Sequence, residues 1–422
     1  MTQRYDTYKN SGVQWLGEIP GHWEMRKMKY IFDERSEKNH PDEHMLSATQ
    51  SEGVILQSKY QGRVVVVNTG FDGLKLVKVG DFVIHLRSFQ GGIEYAYDQG
   101  IISSAYTILN PKYPELSAYY KKLFKSSAFI DLLKICVTGI REGQNINYSK
   151  LKQFYIPLPP LPEQRAIVTY LDDKCGKIDK LVEGKQKQIE LLAEMKQRII
   201  ADAVTRGLNP NVKMKATNIP WLKEIPEHWE MKRLKYLVSC NDESLTNAED
   251  PNLEINYVEI GDVTDIKGIA HTTKYRFEDA PSRARRKTRK NDVIVSTVRT
   301  YLKAIAKIPE NGIIVSTGFA VLRAIDVNSS YLAFCCMSNS FINSVVALCK
   351  GISYPAITAS ELLNLHIPLP PFTEQRAIVT YLDDKCGKID LLVEKLKAEI
   401  DAIKEYKQRL ISDVVTGQIK VC

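Results

Sequence analysis

Apolar side chains recur along this chain with two distinct spacings. In its last fifty residues Ile389, Val393, Leu396, Ile400, Ile403, Lys407, Leu410 and Val414 fall alternately four and three residues apart, and seven of the eight are apolar. Mid-chain, Ile178, Val182, Lys185, Ile189, Leu192, Lys196, Ile199 and Ala203 repeat the spacing with six of eight apolar. A stripe of period 3.5 predicts the seam of a helix pair. Lys196 and Lys407 take the same slot of their stripes, so they would lie at matching depths if the two helices pair with each other. The alternative is that each helix packs on a globular core as an ordinary amphipathic helix.

Elsewhere the pattern changes to short β-branched runs at 64–67, 293–298 and 313–315, bounded by Gly, Asn and Asp, which predict strands. Residues 116–135 and 330–348 read as helices, so the globular parts mix α and β. Prolines 157, 159 and 160 precede the central helix, with Pro162 expected at its first position and Thr373 as N-cap of the second. Gly176 and Gly387 are expected to kink or break each helix, and Gly207-Leu208-Asn209-Pro210 to end the central one.

The chain is written twice. Residues 156–183 and 367–394 differ at only three of 28 positions, Leu161/Phe372, Pro162/Thr373 and Lys180/Leu391, at an offset of 211. WLGEIPGHWEMRKMKY at 15–30 returns as WLKEIPEHWEMKRLKY at 221–236. GDFVIHL at 80–86 returns as NDVIVST at 291–297, and GIISSAYTIL at 100–109 returns as GIIVSTGFAVL at 312–322. The predicted fold is α+β, two mixed α/β heads alternating with two long helices that pair as an antiparallel coiled coil, in an internal pseudo-two-fold repeat. Its segments are 1–155 (first head), 156–207 (proline hinge and central helix), 208–366 (linker and second head) and 367–422 (second hinge and helix). Near-identical helices beside diverged heads fit either two copies of one partner docked on a repeated surface or a recent duplication within the gene.

Charge adds a direction. Lys and Arg number 58 against 50 acids, a net +8 that suits an anionic partner without demanding one. The basic residues cluster at 281–290, PSRARRKTRK, where Arg283, Arg285, Arg286, Lys287, Arg289 and Lys290 occur with no acid. Such a run repels itself unless an anion neutralises it, and phosphates do so with counterion release, although a solvated charge run is the common alternative. Arg299 and Tyr301 follow the next strand, and Arg87 and Ser88 follow its counterpart in the first head. In GIREGQNIN at 139–147, Arg141, Gln144, Asn145 and Asn147 are the side-chain types that read guanine and adenine edges, though such loops are also commonly plain turns. The paired Trp15/Trp221 and Trp23/Trp229 are expected to anchor cores or interfaces.

No catalytic pattern emerges. There is no GxxxxGK[ST] phosphate loop, GxGxxG or GxSxG, and no Asn/Asp-Pro-Pro-aromatic motif of amino-methyltransferases. Asp172-Asp173 and Asp383-Asp384 read as solvated helix faces. Eight cysteines form no CxxC pair, and Cys335-Cys336 read as buried small hydrophobes. The N-terminal MTQRYDTYKN lacks an apolar stretch and no window approaches membrane-spanning length, so a reduced, cytoplasmic chain without membrane association is expected.

The doubled unit of head, IPLPP, EQRAIVTYLDDKCGKID and helix resembles the specificity subunit of type I restriction–modification systems, from about residue 13 to 417. VIVSTVRTYLKAIA followed by STGFAVL also looks like that family's heads. The resemblance implies two target-recognition domains, each reading half of a bipartite, asymmetric site in double-stranded DNA. It implies helices that set the spacing and bind two methyltransferase subunits, joined by restriction (nuclease/translocase) subunits. No cofactor is then bound by this chain, and S-adenosylmethionine, ATP and Mg²⁺ belong to the partners. The competing readings are a helical scaffold that reads no DNA sequence and a free-standing methyltransferase or nuclease.

Overall fold

The computed structural model describes residues 4–62, 70–138, 145–219, 221–264, 268–349 and 355–421. It divides into two compact units, Met1–Lys185 with Ala398–Cys422, and Gln186–Lys397. Each unit holds one head and a part of each long helix.

The long helices are Leu161–Arg206 and Phe372–Val415. The first starts one residue and the second two residues earlier than the sequence predicts, because a glutamine closes the first turn of each. The Gln164 N–H donates to Pro160 O at 3.0 Å while its side-chain amide donates to Pro159 O at 2.7 Å. Gln375 does the same with Pro371 O (3.0 Å) and Pro370 O (2.9 Å). Neither Gly176 nor Gly387 interrupts its helix, contrary to expectation. Both sit on open surface, and a glycine costs only about 1 kcal/mol against alanine, too little to break a packed helix.

The seam positions are all buried or half-buried, and their lysines are paired. In the first unit Lys407 Nζ donates to Asp179 (2.6 Å), and the contact of Lys185 with Glu399 lies a few residues further along. In the second unit Lys196 Nζ donates to Asp390 at 2.7 Å. One number rises as the other falls in the first unit, so its helix segments run in opposite directions. Lys196 and Lys407 are repeat equivalents, and so are Asp390 and Asp179.

Each head is built around a four-stranded antiparallel sheet. In the first head the order is Phe32–Arg35, Thr107–Pro111, Phe82–Ile84, Glu94–Tyr95. In the second it is Val238–Cys240, Phe319–Ala324, Val293–Ser296, Ile305–Lys307. The second head adds a mixed sheet, Thr273–Arg276, Glu254–Val258, Ile313–Ser316 and Ala284–Lys287. A short ladder joins the start of each head to its end: Glu24–Lys27 with Tyr155–Leu158, and Glu230–Arg233 with His366–Leu369. The expected strand at 64–67 lies outside the described residues.

The predicted single helices of the heads are each two. In the first head they are Ser117–Leu123 and Ser127–Ile135, and in the second Ser329–Met337 and Asn339–Leu348. The breaks fall at Ser126 and Ser338, whose hydroxyls accept the N–H of Phe129 and Phe341 and cap new helices. Among the described residues no single helix is long and apolar enough to cross a membrane, and the bent apolar pair 329–348 contributes to its head's core.

Trp23 and Trp229 are fully buried in the two cores. Tyr119 donates its hydroxyl to Val415 O at 2.7 Å, and the Tyr331 hydroxyl is shared between Pro368 O at 3.1 Å and Val204 O at 3.4 Å. Both satisfy carbonyls in the last turn of a long helix, which have no partner within the helix itself. Burial raises both phenols well above their ordinary range, so they stay protonated donors.

After each long helix the chain turns through a left-handed glycine, Gly207 (φ +75°) or Gly417 (φ +76°), packed on a tryptophan. A Cβ at Gly417 would meet Pro20 Cδ at 2.4 Å and Trp23 at 3.1 Å, whereas Gly12 (φ +77°) has open space. Gly417→Ala should therefore destabilise the first unit by more than about 2 kcal/mol, combining left-handed strain with overpacking. Gly12→Ala should cost only about 1 kcal/mol from strain. Urea unfolding followed by tryptophan fluorescence tests this, and equal costs would contradict it.

Candidate nucleic-acid interface

In both heads the exposed loop that carries the candidate contacts leaves a strand whose start is fixed by one aspartate. Asp81 follows Gly80 (φ +96°) and Asp292 follows Asn291 (φ +74°), so the turn needs a left-handed residue and uses Gly or Asn. Asp81 accepts the N–H of Lys78 at 2.8 Å and Asp292 that of Arg289 at 2.8 Å. Each buried carboxylate also binds an arginine, Arg35 Nε at 2.8 Å or Arg323 Nε at 3.0 Å. The hydrogen bond from Asp292, then that of Glu243, hold Arg323 charged well beyond its ordinary range, against the desolvation that opposes it. The strands Phe82–Ile84 and Val293–Ser296 then carry the chain out to the loops at 86–91, which includes one helical turn at Ser88–Gly91, and at 297–303.

In the second head that loop is strained. Arg299 (φ 51°) and Lys303 (φ 51°) are both left-handed non-glycine residues flanking a 3₁₀ turn, Thr300–Leu302. Such strain persists only where surrounding structure imposes it, and it gathers at functional sites. Here the anchors are Thr300, buried and 3.1 Å from Cys349 Sγ, and the Arg299 N–H, which donates to Pro355 O at 3.0 Å. Tyr301 (56% exposed), Leu302 and the side chains of Arg299 and Lys303 face solvent. Lys303 was not legible as a site residue, because a left-handed lysine carries no sequence signal.

In the first head Arg87 is exposed, beside exposed Leu86. Ser88 leaves the set of candidate contacts. It is fully buried, and its hydroxyl accepts the His85 N–H at 2.9 Å to close the turn. Asn147 is exposed but caps the short helix Tyr148–Leu151 by accepting the Lys150 N–H at 3.1 Å. Asn145 lies in a strand, Asn145–Ile146, paired with Val137–Thr138. Arg141 and Gln144 lie outside the described residues.

The basic run is not one patch. Its centre, Ala284–Lys287, is itself a strand with a register shift between Ala284 and Arg286, and side chains from elsewhere neutralise much of it. The Arg285 guanidinium lies 4.8 Å over the Phe277 ring. Lys287 pairs with Glu249 at 3.2 Å and Arg289 with Glu243 at 2.6 Å. Hydrogen bonding from Arg323 and the nearby Arg289 hold the Glu243 carboxyl below its usual range. Arg286 is half-buried, with its Nε unpaired. Arg283 and Lys290 are exposed and make no ion pair with a described residue. The turn at 316–318 ties Arg283 to the strained loop, since Thr317 N–H donates to Arg283 O (2.9 Å) and Thr297 N–H to Gly318 O (2.8 Å). Lys290 is at the strand's other end.

No thiol is poised as a nucleophile among those that burial displaces most. Burial pushes Cys335 up to about 12, and Cys240 and Cys386 to about 11. Asp173 and Asp384 are exposed and each pairs with a lysine one turn on, Lys177 or Lys388, as the solvated-face reading expects.

With this geometry in hand, comparison with known proteins places the chain. The family profile for the type I restriction modification DNA specificity domain matches residues 20–191 and again 226–402. The chain is similar to the type I restriction enzyme MjaVIII specificity subunit of Methanocaldococcus jannaschii, at 26% identity over 82% of this chain and 80% of that protein. It is equally similar, 26% over 96% of each chain, to the putative MjaX specificity subunit of the same organism. A chain solved in a study of complex assembly and conformational transition of the type I R-M system shares its fold, with a TM-score of 0.65 over 94% of this chain and 98% of that one at 18% identity.

Proposed function

The chain belongs to the type I restriction modification DNA specificity family, and on that premise we propose that its two heads read two different half-sites of one bipartite, asymmetric duplex target. It is a non-catalytic specificity subunit: it supplies DNA sequence recognition, and methyltransferase and restriction subunits carry the chemistry. One observation carries the two-half-site reading. Residues 156–183 and 367–394 agree at all but three of 28 positions, while the loops LRSFQG (86–91) and TVRTYLK (297–303) have no such identity. Surfaces that do the same job twice stay alike, and surfaces that meet different bases do not.

Within the heads, base reading falls to the exposed loops, with Arg87 in the first and Arg299, Tyr301 and Lys303 in the second. Arg141, Gln144 and Asn145 remain candidates for the first half-site, and Lys290 for a phosphate. Arg283 is assigned a phosphate contact beside the second loop, while Lys287 and Arg289 serve the fold through their acids.

The repeated surface is assigned to two methyltransferase subunits. Its support is identity at exposed positions, where packing imposes none: Arg165/Arg376, Asp172/Asp383, Lys174/Lys385 and the half-exposed Tyr30/Tyr236, each tyrosine under its neighbouring lysine (Lys29 at 5.1 Å, Lys235 at 5.2 Å). S-adenosylmethionine, ATP and Mg²⁺ are assigned to the partner subunits. The long helices are assigned as an antiparallel coiled coil in an internal pseudo-two-fold repeat, which the equivalent pairs Lys196–Asp390 and Lys407–Asp179 support.

Two outcomes test the reading. Arg283→Ala should weaken binding to every sequence and flatten the dependence of log affinity on log salt by about one unit, whereas Lys287→Ala should leave the slope unchanged. Titration of the reconstituted complex over a range of salt measures both, and an intact slope in Arg283→Ala removes that phosphate contact.

The helices act as a ruler. Inserting one heptad between Glu190 and Leu191 and another between Lys395 and Leu396 preserves the seam and adds about 10 Å at 1.5 Å per residue. At roughly 3.4 Å per base pair the selected spacer should lengthen by about three base pairs, with both half-sites unchanged. Selection from a random DNA pool reads spacer and half-sites together. An unchanged spacer in a binding-competent variant rules the ruler out.

A further inference from the structure

We propose that His85, Glu94 and Lys125 form a buried clamp that positions the first head's reading loop, and so sets base choice at that half-site without touching DNA. This rests on the reading of loop 86–91 as the first head's DNA-reading loop.

The clamp grips the loop at both ends. At its start the Arg87 N–H donates to His85 Nδ1 at 3.1 Å, and the His85 N–H donates to Ser88 Oγ at 2.9 Å. At its end Lys125 Nζ donates to Gly91 O at 2.9 Å and, in the same fork, to Glu94 Oε1 at 2.6 Å. His85 Nε2 lies 3.6 Å from that same Oε1. Because Nδ1 accepts a backbone N–H, the proton of neutral His85 resides on Nε2 and faces the carboxylate. The Glu94 carboxylate is thus bound directly in the grip at the loop's end and lies beside the His85 ring of the grip at its start, without a hydrogen bond to it.

Three features argue that the arrangement serves position rather than stability. Glu94 is fully buried, and its Oε2 and His85 Nε2 have no hydrogen-bond partner among the described protein atoms, although buried polar groups are normally satisfied. A buried ion pair is commonly no more stabilising than apolar side chains of the same volume. The backbone is also held tightly: Gly92 (φ +88°) approaches Phe124 so closely that a Cβ there would stand 2.1 Å from its carbonyl oxygen.

Among the described residues the second head has no equivalent of this clamp. His85 corresponds to Ser296 in the repeat. Glu94 pairs with Val83, and the equivalent strand pair is Ile294 with Ala306, so an alanine stands where the carboxylate would be. That head shapes its loop by left-handed Arg299 and Lys303 instead. One molecule thus holds two loops positioned by different means, and the second half-site is an internal control for the first.

The test is selection from a random DNA pool by the complex reconstituted with its methyltransferase and restriction subunits. His85→Phe removes the acceptor for the Arg87 N–H. Glu94→Gln removes the charge between the grips, and Glu94→Leu with Lys125→Met removes the pair without leaving a buried charge. Each should change base preference at the first half-site by at least tenfold in enrichment, while the second half-site and the spacer keep the parent pattern. Lys59→Ala, which breaks an exposed ion pair with Asp98 in the same head, should leave both half-sites as in the parent. Parent preference at the first half-site in a binding-competent variant overturns the clamp. So does loss of all first-site preference together with a lowered melting transition in every variant, which would mark mere structural support. If the parent complex selects no half-site at loop 86–91, the failure belongs to the reading of the loop and not to the clamp.

Discussion

The structure depends on what a long helix does with an apolar stripe that its own length cannot cover. Helices of 46 and 44 residues are charged on most faces and would gain little from folding alone in water. Each finds cover inside the two units, against a segment of the other helix and the core of a head. Lysine in such a seam is costly unless a carboxylate meets it, and Asp390 and Asp179 meet Lys196 and Lys407. The requirement works as a registration device. A slip of one turn would bring each lysine against apolar neighbours and leave the aspartate behind.

From that constraint the heads inherit their attachment. The phenols of Tyr119 and Tyr331 reach carbonyls at the ends of the long helices, and left-handed glycines turn the chain back onto buried tryptophans. Each head is pinned where its helix ends, and a strand of its central sheet leads into the exposed loop. Rigid attachment suits a specificity subunit, since the two loops differ in sequence while the helices that carry the heads stay nearly identical.

The charge distribution follows the same division. A run of six cations suggests a phosphate-binding stripe only while the acids brought by the fold are out of view. Glu243 and Glu249 come from about forty residues earlier in the chain, Asp292 caps a turn, and together they absorb Arg289, Lys287 and Arg323. Exposed cations remain at the edges, Arg283 beside the strained loop at 297–303 and Lys290 at the far end of its strand.

The sequence by itself determined the repeat, the two stripes of heptad spacing, the mixed composition of the heads and the lack of a catalytic pattern, because these are properties of local order and identity. It placed Trp23 and Trp229 as anchors and the two seam lysines as equivalents for the same reason. It misplaced the helix starts by one residue and by two, where Gln164 and Gln375 fold back on proline carbonyls, and it expected breaks at Gly176 and Gly387 that packing overrides. It ran one helix through Ser126 and another through Ser338, since a serine inside an apolar pattern becomes a cap only when the chain bends there. Only the tertiary structure decided which cations are spent on distant acids, that Ser88 is buried, that Lys303 stands left-handed beside Arg299, and that His85, Glu94 and Lys125 converge behind a loop. Several of those facts join residues thirty to eighty positions apart, as Lys125 with Glu94 and Arg323 with Glu243, and the rest are backbone and burial outcomes with no period or motif in the chain to announce them.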